Sequence, residues 1–228
     1  MYALTQVFGP AASIGEIGMR YVGLHAIVLA AAALAASVAP ASAATQKQQA
    51  WCFEEDATDD QKIAGCTAVI QSARTSAVDR GSALMNRGVA LTNKGEFDRA
   101  IADFTLAIRL NPAEAGVALS NRCAVRTTIG QLEKALADCN DAVRLTPDDP
   151  QARAVRGITH LKMGNAGLAI ADFDTALAEV PDDALSLFGR GLAKRARGDE
   201  AGAAVDMAAA RAIAADIETY FVDCGVSI

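Results

Sequence analysis

The stretch IADFTLAIRLNP at Ile101–Pro112 returns as LADCNDAVRLTP at Leu136–Pro147 and as IADFDTALAEVP at Ile170–Pro181. A fainter copy, AVDMAAARAIAA, spans Ala204–Ala215. Asp103, Asp138, Asp172 and Asp206 mark the period, with steps of 35, 34 and 34 residues. Self-similarity at this period constrains the fold more than any other feature. A unit so short cannot bury its apolar face alone and must stack on its neighbours, so the chain reads as a solenoid counted in repeats. Each period holds two helical patterns separated by a glycine: Gly95, Gly130, Gly164 and Gly198. In the first, GSALMNRGVALTNK precedes Gly95 and EFDRAIADFTLAIRL follows it. The second helix ends at Asn111-Pro112, Thr146-Pro147 and Val180-Pro181, because proline cannot continue a helix but suits the first turn of the next. Two helices of about 14 residues joined by so short a turn must lie antiparallel. An aromatic content of 5% with abundant alanine agrees with close-packed helices.

The residues at fixed places in the period carry a family resemblance. Gly95, Phe97, Ala100, Phe104, Ala107, Leu110 and Pro112 resemble the tetratricopeptide repeat. The second copy matches at Ala135, Cys139, Ala142, Leu145 and Pro147, and the third at Ala169, Phe173, Ala176 and Pro181. The fourth matches at Ala203, Met207 and Ala210, but Ala215 stands where proline is expected. The family's opening tryptophan is replaced by Leu84, Leu119, Arg153 and Leu187. The fold class expected is all-α: a tetratricopeptide-like α-solenoid of antiparallel helix hairpins with a C-terminal capping helix. Four repeats are expected at 81–115, 116–149, 150–183 and 184–215, with a cap at 216–228. A degenerate half-repeat at 44–80 precedes them. In it, IAGCTAVIQSAR (Ile63–Arg74) reads as a second helix and AATQKQQAWCFEEDA as a poor first one. Ser76 and Asp79 offer a capping box that starts the next helix early. Without a proline stop, ARAIAADIETYFVDC reads as one extended helix, with Ile217, Tyr220, Phe221 and Cys224 on one face.

Residues 1–43 form a separate object. Arg20, the apolar run VGLHAIVLAAAALAASVA from Val22 to Ala39, and small residues at Ala41 and Ala43 have the pattern of a secretory signal cleaved after Ala43. A start at Met19 would give that signal an ordinary length. The alternative is an uncleaved membrane anchor, since 18 apolar residues just reach spanning length. Export predicts a periplasmic or secreted location; retention predicts an inner-membrane anchor. The five cysteines all lie beyond the signal and would meet an oxidising compartment on export.

Two features are locked to the spacing. Arg87, Arg122, Arg156 and Arg190 each precede a marker aspartate by 16 residues. Residues equally far from a glycine elbow should face each other, so the spacing predicts the contacts Arg87–Asp103, Arg122–Asp138, Arg156–Asp172 and Arg190–Asp206. They read as a repeated structural pair, partly exposed and worth about 0.2–1 kcal/mol each; the functional alternative is an anion-binding ladder. Cys123 and Cys139 share the same spacing. Equivalent positions elsewhere hold a small residue under a large one: Gly88 with Phe104, Gly157 with Phe173, and Gly191 with Met207. The paired replacement predicts a disulfide across the second hairpin; two small buried thiols are the alternative. Cys52 and Cys66 are expected to pin the half-repeat in the same way, and Cys224 is left over as a packed residue.

Nothing in the sequence assembles a catalytic site. His160 occupies a hairpin-packing position equivalent to Leu91, Arg126 and Lys194, and no cluster has metal-ligand spacing. No metal or cofactor is expected. The net charge of −6 gives no phosphate-neutralising stripe and argues against a nucleic-acid partner. What remains is a surface. Positions about 140° from the partner helix include Met85, Val89, Ala124, Ile158, Leu161, Leu185, Phe188 and Leu192. The resemblance implies that this face lines a concave groove where family members hold peptide segments. The lysine and asparagine clamp of chaperone-tail-binding members is not found there. The expected function is therefore a non-catalytic scaffold that holds a protein or peptide in an apolar groove outside the cytoplasm. The alternative is a membrane-anchored assembly factor or chaperone-like adaptor. For Ile158, Phe188 and their neighbours, packing against adjacent repeats is the competing assignment.

Overall fold

The computed structural model describes residues 46–226, so the signal or anchor at 1–43 lies outside the described residues. A helical stretch at 46–50 (α1) is followed by α2 (Asp59–Gln71), α3 (Ala77–Asn93) and α4 (Phe97–Leu110). A 3-10 turn at Pro112–Glu114 leads to α5 (Ala115–Thr128) and α6 (Leu132–Leu145). Next come α7 (Pro150–Lys162), α8 (Ala166–Glu179), α9 (Ala184–Ala196), α10 (Glu200–Ile213) and α11 (Ile217–Asp223). All are helices; the described residues contain no strand.

The elbows follow from glycine. Gly95, Gly130, Gly164 and Gly198 adopt φ of +75°, +77°, +77° and +85°, a left-handed conformation that a Cβ would disfavour. At each, the next backbone N–H reaches back past the elbow: Glu96 to Leu91, Gln131 to Arg126, Asn165 to His160 and Asp199 to Lys194. These bonds satisfy carbonyls that the helix end leaves open, so the chain reverses without losing hydrogen bonds. Helix starts are capped by side chains. Ser76, Asp149 and Asp183 accept from the backbone N–H of Asp79, Gln151 and Ser186.

Four hairpins result: α3/α4, α5/α6, α7/α8 and α9/α10. The odd-numbered helices α5, α7 and α9 also pack side by side, whereas successive even-numbered helices are linked mainly through the odd helix between them. That asymmetry places the odd helices on the inner side of the curve. The core runs between the two layers. Phe104 and Phe173 are fully buried, each against a glycine of the facing helix. A Cβ on Gly88 would sit 2.6 Å from Phe104, and one on Gly157 would sit 2.8 Å from Phe173. Gly189 closes on Phe173 from the next repeat, where a Cβ would sit 2.4 Å from the ring. In the second hairpin Cys123 and Cys139 replace that packing. They lie at disulfide distance with a Cα–Cα separation of 5.5 Å. Cys52 and Cys66 are likewise at disulfide distance, 4.5 Å between Cα atoms.

Three expectations need correction. The first helix of the half-repeat ends at Ala50 and turns through Trp51–Phe53, and does not run through AWCFEEDA. The helix expected from Ile63 begins earlier, at Asp59, where Thr58 and Gln61 form a capping box. The long helix expected through ARAIAADIETYFVDC is broken. Ala214 is extended (φ −135°, ψ 102°), α10 stops at Ile213 and α11 starts at Ile217. The break has a tertiary cause: α11 packs along α9, on its inner side, and a straight continuation of α10 could not reach it.

Candidate binding groove

Each repeat arginine is held by three helices. Arg87, Arg122, Arg156 and Arg190 donate through Nε and Nη2 to both carboxylate oxygens of Asp103, Asp138, Asp172 and Asp206, at 2.6–2.9 Å. The third nitrogen, Nη1, reaches the preceding hairpin: Thr67, Thr105, Asn140 and Asp174 accept at 2.9, 2.8, 3.1 and 2.8 Å. Sequence reasoning missed these second bonds. Their signal was present, because each acceptor directly follows a core residue of its period: Cys66, Phe104, Cys139 or Phe173. The carboxylates are also more buried than expected, at 4–7% exposure, each beneath the guanidinium of its own hairpin. With their oxygens already filled by guanidinium, these arginines are structural and offer no free anion ladder.

The position of His160 is a variable one. Its counterparts Arg126 and Lys194 place a second cation on Asp138 and Asp206, at 2.6 and 2.8 Å. His160 makes no such bond, and its buried Nδ1 has no partner among the described residues. Burial holds its pKa below the ordinary histidine value, against a smaller opposing pull from Asp172. For Asp206, burial pushes the pKa up, but the bonds from Arg190 and Lys194 outweigh it and leave the group below the ordinary carboxylate value.

The residues expected to line an open groove are mostly covered. Met85, Ile158, Leu185, Phe188 and Leu192 are buried, and Val89, Ala124 and Leu161 are half-buried. The helical angle places them on the inner face, but two things close over them. The odd helices pack against one another there, with the Thr127 and Thr159 hydroxyls 2.8 Å apart between α5 and α7. Over α9 the cover is α11. Its Ile217, Tyr220, Phe221 and Cys224 are buried, and the Phe221 ring lies 5.1 Å from that of Phe188. Arg211 of α10 sits 5.6 Å from the centroid of the Phe188 ring and pairs with Glu218 of α11. At the far end Lys162 Nζ donates to the carbonyls of Cys224 and Thr127, at 2.5 and 2.7 Å, and so clips the end of α11 to α5 and α7. Burial lowers the Lys162 pKa and raises those of Tyr220 and the Cys224 thiol. Beside α11 a cleft of about 400 Å³ stays open, lined by Leu161, Lys162, Leu192, Arg195 and Val226 among others.

Among the described residues no group of three or more His, Cys, Asp or Glu could hold a metal ion. No helix among them is long and apolar enough to cross a membrane.

Two sequence models of the tetratricopeptide repeat match the chain, at residues 81–113 and 155–216. No curated protein matches it. Among solved structures, MamA from Desulfovibrio magneticus, residues 41 to its end, is similar with a TM-score of 0.60 at 19% identity. That likeness covers 78% of this chain and 97% of that one. A tetratricopeptide repeat protein from Parabacteroides merdae gives 0.59 at 18% identity, over 81% and 73% of the two chains. YrrB, described as a TPR protein with an unusual peptide-binding site, gives 0.51 at 19% identity over 78% and 84%. At these identities the likeness concerns the fold alone. Repeat matches, helix pairing and shared architecture together support a protein of the tetratricopeptide repeat family.

Proposed function

We propose that this chain is a protein–protein interaction scaffold that holds a segment of a partner on the inner face of α7 and α9, outside the cytoplasm, and carries out no chemistry of its own. The observation that carries the reading is the inner wall itself. Leu161, Phe188 and Leu192 form an apolar surface across two helices, and a short helix already lies on it. Such a wall recognises the apolar face of a helix through shape and buried area. The titratable groups at fixed places in the repeat are committed to one another. YrrB, with the same fold, is described as having a peptide-binding site, which is in keeping with this use of the architecture.

The location outside the cytoplasm draws on two features. The leader pattern at 1–43 is that of an export signal. The two cysteine pairs at disulfide distance suit an oxidising compartment. Export predicts a mature N-terminus near Ala44 and two bridges by mass before and after reduction; retention of residues 22–39 would instead select the anchored form.

Leu161→Glu tests the groove. The residue is half-buried and lines the open cleft, so a carboxylate there should disrupt the wall while the fold stays intact. Partner proteins cross-linked to the native chain in the envelope should be lost from the variant at unchanged helicity. Equal cross-linking by both chains would contradict the groove reading.

A further inference from the structure

The last described helix does not lie where a further layer of the solenoid would. The first helix of a new repeat packs against both helices of the one before, as α9 does on α7 and α8. Helix α11 turns inward and runs along α9 towards the elbow ends of α7 and α5. The Thr128 hydroxyl of α5 donates to Cys224 Sγ at 3.9 Å, and these two residues are 96 apart in sequence. Val222 and Asp223, on its other side, remain exposed. This is the posture of a ligand in a groove.

Its attachment depends on docking alone. A seven-residue helix has no independent stability in water. The tether is the non-helical link 214–216, of which Ala215 and Asp216 are exposed. The hold comes from one apolar stripe, Ile217, Tyr220, Phe221 and Cys224 at i, i+3, i+4 and i+7, continued by Val226, from the Thr128 bond to Cys224, and from two polar clips. One clip is Arg211–Glu218; the other is Lys162 on the Cys224 carbonyl. A short docked helix on a non-helical tether can open as a unit without unfolding the hairpins beneath it.

We propose that α11 is a resident occupant of the groove, and that the partner segment has its chemistry: a short helix with an aliphatic residue, two adjacent aromatics and a small residue at i, i+3, i+4 and i+7, which binds by displacing α11. This rests on the groove reading above. The displaced α11 exposes Cys224, the only described cysteine outside the two pairs and 7% exposed when docked. Thiol labelling therefore reports opening directly.

The test uses the full chain with both cysteine pairs oxidised. The probe is a synthetic peptide of residues 215–226 in which Cys224 is replaced by serine. Saturating peptide should raise the Cys224 labelling rate at least tenfold, and the same peptide with serine at Tyr220 and Phe221 should leave it unchanged. Within the chain, Phe221→Ser should raise the labelling rate without peptide and strengthen peptide binding at least tenfold. Should Phe221→Ser unfold the chain, Lys162→Met removes only the clip and should raise labelling at unchanged helicity. A labelling rate indifferent to the peptide and to the clip variant would overturn the proposal. That outcome would leave the groove reading standing, because Leu161→Glu reads partner binding without reference to α11. Loss of the Leu161→Glu effect alongside a positive labelling result would instead mean that α11 opens but that partners bind elsewhere, and would overturn both readings.

Discussion

Arg190 of α9 grips Asp206 of α10 through Nε and Nη2 at 2.7 and 2.8 Å, while its Nη1 reaches Asp174 of the preceding hairpin. The same three-way bond recurs at Arg87, Arg122 and Arg156. One side chain per repeat thus sets both the register within a hairpin and the stacking between hairpins.

The cleanest pair for a test is Arg156 with Asp172, which takes no second cation. Arg156→Met leaves a buried carboxylate unpaired and should cost about 3–5 kcal/mol. The double variant Arg156→Met/Asp172→Leu removes both charges and should recover most of that loss. Chemical denaturation of the two variants checks this; equal losses would mean the arginine acts through packing alone.

Positions mirrored about the Gly130 elbow meet in the structure, Arg122 with Asp138 and Cys123 with Cys139, because an antiparallel hairpin with a short elbow brings them face to face. The bond from Arg122 to Thr105 crosses between hairpins, so mirror symmetry within one hairpin carries no trace of it. The inner face was harder to read. A turn of 100° per residue puts Phe188 away from α10, but its full burial comes from Phe221, a residue 33 positions later. Nor does Ala214 announce a helix break, since alanine favours helix. Tertiary packing of α11 overrides that preference.

Phe173 is gripped from both sides by Gly157 and Gly189. Gly189→Ala would press a methyl group into the ring and should cost about 1–3 kcal/mol. Gly167→Ala, where only an Arg197 nitrogen lies within 4 Å, should instead stabilise α8 by about 0.5–1 kcal/mol. Thermal unfolding of the two single variants should move in opposite directions.

The Cys123–Cys139 pair closes a loop of 16 residues inside the second hairpin. Replacing both with alanine should lower stability by about 3 kcal/mol on the chain-entropy account. Removing Cys52–Cys66 by the same change should affect α2 and the segment before it, while hydrogen exchange in α5–α10 stays as it was.

His160 links stability to pH. Its folded-state pKa is depressed by burial, so the fold holds the neutral ring. Stability is full above the unfolded value of about 6.5. It falls as the pH drops from there towards the folded pKa, because the unfolded chain takes up the proton first. His160→Gln should flatten that part of the stability–pH curve. His160→Lys should also flatten it and place a second cation by Asp172, as Lys194 does at Asp206.

Hydrogen exchange of the intact chain with and without the 215–226 peptide shows whether a partner segment occupies the inner wall in place of α11. Exchange should slow along the inner helices α7 and α9 and quicken in α11. Protection confined to the outer helices α8 and α10, with α11 unchanged, would contradict that occupancy.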